Sequence, residues 1–218
     1  MLFDLRGKRR RAVQVTYLSL ALLMGGGLIF FGIGGSVSGG LLDAFKGGGG
    51  GGGNGAIKKR IDRDQKRAAA GSEAALKELV RDYYQLATSQ TSASDTSFPK
   101  SAQGDLQNAA RYWQRYLSST KNPDPSLARV AFQVYSVGAL SKPKEAEAAI
   151  QLVAQASNDP SDYLQLVQYA ALAGDTRTAN LATIKAVDLA PKDQRKQVKL
   201  QADQLKKAAT QTQTQGGG

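Results

Sequence analysis

The sequence predicts an all-α protein: one apolar helix near the N-terminus, then a series of antiparallel helical hairpins stacked side by side. Three observations predict it. Residues 12–35 carry no charge. Beyond a run of glycines, apolar residues recur three and four positions apart, the spacing of one helix face. These apolar stripes come in pairs divided by turn-forming residues, and the pairs repeat about every 34 positions.

In chain order, Arg6, Lys8, Arg9, Arg10 and Arg11 precede the uncharged run from Ala12 to Gly35. About 20 apolar residues rising 1.5 Å each cross a bilayer core of ~30 Å, so 12–35 is expected to be a transmembrane helix. Only Lys46 lies close after it, and basic residues stay on the cytoplasmic side. Residues 1–11 are therefore expected in the cytoplasm of a bacterium, with the rest outside its plasma (inner) membrane. Ser36-Val37-Ser38 would suit cleavage of a signal peptide, but the uncharged run exceeds the usual ~7–15 residues of such signals, which favours a retained anchor. Ala21 and Gly25 form a small-xxx-small pair that permits close helix packing. Residues 36–55 include seven glycines from Gly47 to Gly53, a flexible tether of roughly 15–18 Å mean span.

The region 56–209 is expected to form the helical domain. Ile57 and Ile61, set among Lys58, Lys59, Arg60, Arg63, Lys66 and Arg67, mark a leading basic helix. Leu76, Leu79, Val80 and Tyr83 give one apolar face, and Ala109, Trp113, Tyr116 and Leu117 give its partner. Between them the Ser/Thr-rich stretch 89–104, with Pro99, will not propagate a helix. A tolerated surface insertion is the simpler reading than a lid, and Phe98 would either pin it or meet a partner. Val130, Val134 and Val137, then Ala146, Ile150 and Val153, supply the next pair, with Lys142-Pro143 at the turn. The stretch from Pro160 to Pro191 is the clearest: Tyr163, Leu166, Val167 and Ala170, a Gly174-Asp175 turn, then Ala179, Thr183, Ala186 and Leu189. A polar helix from Lys192 to Ala209 with Val198, Ala202, Leu205 and Ala209 on one side suits a terminal cap, and 210–218 is expected to be a disordered tail. The coarse count is seven helices in a right-handed array.

These residues, above all 160–193, resemble a tetratricopeptide (TPR) repeat, and 72–191 resembles a short TPR array, an α-solenoid. The resemblance implies that first helices of successive repeats line a groove for extended peptides or amphipathic helices. Position by position, that groove would present Lys77, Arg81 and Tyr84, then Ala131, Tyr135 and Gly138, then Leu164, Gln168 and Ala171. Inter-helix packing is the plainer role for each aromatic taken singly. The order of basic start, transmembrane helix and outer repeats also resembles that of membrane-tethered chaperones associated with the translocon.

Catalytic chemistry has little to draw on. The chain has no histidine and no cysteine, which removes the common general base, the thiol nucleophile, the usual zinc ligands and any disulfide. The glycine run lacks the Gly-Lys-Ser/Thr ending of a phosphate loop. No enzyme activity, metal or cofactor is expected. Net charge is +11, but the first 55 residues hold six basic and two acidic side chains, leaving +7 on the remainder. There the charges alternate, as in Lys77-Glu78, Arg81-Asp82 and Lys144-Glu145, so nucleic acid is not the expected partner. The expected function is a membrane-tethered scaffold for protein or peptide partners in the bacterial envelope, in assembly or secretion. The alternative is a lipid-surface or polyanion binder whose contacts are Arg9, Arg10, Arg11, Lys58, Lys59 and Arg60.

Overall fold

A computed structural model describes residues 53–92 and 95–215. The expected transmembrane helix, most of the tether and Arg9, Arg10 and Arg11 lie outside the described residues. Within them the protein is all-α: α1 (Gly53–Ala69), α2 (Glu73–Ser89), α3 (Gln103–Ser119), α4 (Pro125–Tyr135), α5 (Pro143–Ser157), α6 (Pro160–Ala173), α7 (Thr176–Leu189) and α8 (Arg195–Gln215). A 3-10 turn, Lys100–Ala102, leads into α3. No strand occurs among the described residues, and no described helix is long and apolar enough to cross a membrane.

The helix boundaries follow from local chemistry. Ser72, Asp124, Asp159 and Asp175 each accept a backbone N–H from the first turn of α2, α4, α6 and α7, which satisfies donors that the helix itself leaves unpaired. Proline opens α4, α5 and α6, where its fixed φ costs nothing. Gly174, at φ +82°, closes α6 in the left-handed conformation that glycine adopts without strain.

Helices α2 and α3 form the first hairpin. Lys77 lies over the ring of Tyr116, Tyr83 stacks on Tyr112 at 5.7 Å, and Gln90 donates to Asp105, a reversed order that shows the two run antiparallel. Leu79, Leu106, Trp113 and Tyr116 are sealed between them and their neighbours. Helix α1 docks on this hairpin through Gln65 to the Tyr83 hydroxyl (2.9 Å) and Arg115 to the Ala68 carbonyl (3.4 Å). The second hairpin is α4 with α5, the third α6 with α7, and α5 packs on α6 as well. Between α4 and α6, Phe132 meets Tyr169 edge to face at 4.8 Å, and the Tyr169 hydroxyl accepts the Val137 N–H. Helix α8 covers α6 and α7 with Val198 and Ala202 buried, as a cap requires.

Four expectations shift. Eight α-helices stand among the described residues where seven were counted. Helix α4 stops at Tyr135, so Val137 is 64% exposed rather than on its apolar face. The Ser136 and Lys142 N–H groups instead close a turn back onto Gln133 and Tyr135. Helix α8 runs on to Gln215, through most of the stretch expected to be a disordered tail, with the Thr210 and Thr212 hydroxyls bonded to carbonyls one turn back. Helix α1 begins at Gly53, inside the expected tether.

The stretch after α2 is anchored. Phe98 is half-buried against Tyr84 with ring centroids 6.3 Å apart, and its N–H donates to the Gly138 carbonyl at 2.8 Å. Gly138 sits at φ +88°, and a Cβ there would lie 3.0 Å from the Thr96 carbonyl oxygen. Gly138→Ala should therefore lower unfolding stability by about 1–3 kcal/mol in urea titration of the full chain. Gly104→Ala, on helical backbone with open space around it, should raise stability by up to about 1 kcal/mol. Equal effects from the two would contradict the anchoring.

Candidate functional site

The residues expected to line a groove along the first helices are not gathered into one. Ala131, Tyr135 and Leu164 are buried, at 0%, 2% and 9% exposure, although Tyr135 keeps an edge on the open space beside α3. The Tyr135 hydroxyl points to α3, donating to the Ala110 carbonyl at 3.4 Å and accepting from Gln114 at 3.2 Å. Lys77 and Arg81 both approach Asp124, at 3.5 and 3.9 Å, and so brace α2 against the cap of α4. Phe98 covers Tyr84, and burial pushes the Tyr84 hydroxyl up to about 12. Gln168 is half-buried on α6; its side-chain oxygen and that of Gln165 are buried without a hydrogen-bond partner. The causes differ by position: the loop covers Tyr84, Asp124 draws Lys77 and Arg81, and α3 takes the Tyr135 hydroxyl.

Open space lies on the other side, between the second helices. A cleft of about 550 Å³ runs between α3 and α5, walled by Trp113, Leu117, Pro123, Ala148 and Leu152. A second, of about 570 Å³, adjoins it and is lined by Arg111, Tyr135, Leu140 and Lys142. Gln114 and Glu145 line both, so the two form one trough with an apolar stretch and a polar one. Sequence reasoning assigned Trp113 and Leu117 to packing faces and read α5 only for its buried face of Ala146, Ile150 and Val153, passing over Ala148 and Leu152. The available signal was the width of its stripe. Ala146, Ala149, Ile150 and Val153 are buried, while Ala148 stays exposed and Leu152 only half-buried, beyond what the neighbouring helices cover.

The basic leading helix is partly committed to structure. Arg60 holds the buried Asp82 through two hydrogen bonds, from Nη2 and from Nε at 3.2 Å, and the first of these raises the pKa of the guanidinium. Arg60 thus braces α1 against α2. Arg63 and Arg67 close over Asp64, at 2.9 and 2.8 Å. The hydrogen bond from Arg63 is the main cause that holds this carboxyl below the usual carboxylate range, against the cost of burial. Lys58 and Lys59 are exposed and form no ion pair among the described residues.

Two more carboxyls move for different reasons. Burial pushes Glu147 of α5 up, and the neighbouring Asp175 adds to the effect. Asp175 itself is held low, first by the Thr178 N–H it caps. Among the described residues, no group of three or more carboxylates gathers where a metal ion could sit.

Removing Arg60 leaves Asp82 as an unpaired buried carboxylate. Arg60→Ala should cost about 1–2 kcal/mol in denaturant unfolding, less than the ~3–5 of a fully buried pair because its side chain is 42% exposed. Lys58→Ala should stay within about 0.5 kcal/mol.

The lowered carboxyl of Asp64 contributes stability above its unfolded pKa and loses it as pH falls through its folded one. The urea midpoint should drop on acidification below about pH 4, and Asp64→Asn should flatten that drop. Glu147 has the opposite sign: its raised pKa favours the folded state at low pH and opposes it as pH rises through the folded value. Glu147→Gln should stabilise the fold more at pH 7 than at pH 4, and the reverse order would refute the pairing with Asp175.

Set against protein-family models, curated proteins and solved structures, the chain matches none of them.

Proposed function

We propose that this protein is a docking module of tetratricopeptide type that holds protein or peptide partners in the α3–α5 trough, tethered to a membrane by residues 12–35. One observation carries the reading: stacked hairpins leave an elongated open trough with an apolar wall and neutral amide side chains at its edge. Such a surface suits recognition by shape and backbone hydrogen bonding. A chain without histidine or cysteine offers little for catalysis there. The uncharged run behind a basic start supports a tether with the helical domain on the extracytoplasmic face.

The lipid-surface or polyanion reading draws on α1, but three of its arginines are engaged with carboxylates. Among the described residues expected to meet headgroups, exposed Lys58 and Lys59 are the ones without such a partner.

The test is site-specific photo-crosslinking of the full chain in cells, with the reactive residue placed at Leu152 or at Lys58. Discrete protein adducts from Leu152, lost when Gln151 and Gln155 are both changed to Ala, support docking. Adducts confined to Lys58, together with vesicle binding that collapses at moderate salt, would replace it with the polyanion reading.

A further inference from the structure

The composition of the trough narrows what it can hold. Four glutamines, Gln107, Gln114, Gln151 and Gln155, lie along its two sections. A carboxamide both donates and accepts, so it can meet the N–H and C=O groups that an extended chain leaves unpaired, whatever its sequence. A helix satisfies those groups internally and would gain nothing from the amides. Trp113, Leu117, Pro123 and Leu152 give the apolar section a surface that suits an apolar side chain, with Gln114, Gln151 and Gln155 lining the same section for the backbone.

Charge sets the direction. Lys144 lines the apolar section and Arg111 and Lys142 line the polar one, whereas Glu145 is the one carboxylate among the lining residues. Arg111, Lys142 and Lys144 are exposed, so their charges act on an incoming chain without first being released from a buried pair. A basic peptide would be repelled by this set and a neutral one would leave it unused.

Resting on the docking reading above, we infer that the trough selects an extended peptide with an apolar anchor residue and acidic residues beside it. The anchor enters between Leu117 and Leu152, the backbone runs past the glutamines, and the carboxylates meet Lys142, Lys144 and Arg111.

The experiment uses the full-length chain in mild detergent as bait for a random-sequence peptide library displayed on phage, with selected peptides remade synthetically for affinity measurement. Enriched peptides should combine Asp or Glu with Leu, Ile or Phe. Their affinity should fall about tenfold with Lys142→Glu plus Lys144→Glu, and also on raising salt. It should fall at least as far with Leu152→Asp, and with Gln151→Ala plus Gln155→Ala, whose positions are exposed and spare the fold. Peptides that lack acidic residues, ignore the charge reversal and are still lost with the glutamine pair would overturn the acidic selectivity while keeping the docking site. No enrichment, or binding that survives both the Leu152 and the glutamine changes, would overturn the docking site itself.

Discussion

Two amphipathic helices packed as a hairpin cover only part of each other's apolar surface, and the remainder must be covered by the next hairpin. Every joint in this molecule answers that demand. Tyr116 and Trp113 belong to the first hairpin, yet they are sealed only because the chain continues into α4. The Tyr116 hydroxyl accepts the Asp124 N–H at 2.8 Å, which ties the end of one hairpin to the start of the next. Asp124 then caps α4 while drawing Lys77 and Arg81 toward it. Burial works against its ionisation, but the N–H groups of Ser126 and Leu127 and the two cations outweigh it and keep this carboxyl low.

The two joints between hairpins are built differently. From α4 to α6 the contact is aromatic and ionic, with Phe132 against Tyr169 and Arg129 bonded to the buried Asp162 at 2.7 Å, while Ser157 donates to the same carboxylate. From the first hairpin to the second, Phe98 straps its loop to the turn after α4, and the space between α3 and α5 stays open.

The sequence made the helices legible. Spacing in 160–191 placed α6, the Gly174 turn and α7. The joints were not legible, since a helical stripe tells how much surface is apolar but not which neighbour covers it. Tyr135 shows this: the resemblance implied a groove position for it, and only the position of Gln114 on α3 shows where its hydroxyl goes. Arg60 gave the same difficulty, because a lysine-and-arginine run reads as a solvated face until a buried Asp82 appears opposite. Val137 misled because it extends a stripe past the point where Ser136 ends the helix.

The strap that joins Phe98 to Gly138 has a kinetic side. Arrays of hairpins can begin to order at any unit and spread to the next through local contacts, which keeps the search short. A contact between the 90s loop and the turn after α4 bypasses that route, since it exists only after α2, α3 and α4 have already taken their places. The N-terminal part of the array thus carries a strap across its surface, whereas the C-terminal part is held by the packing of α5, α6 and α7 and by the lengthwise cover of α8.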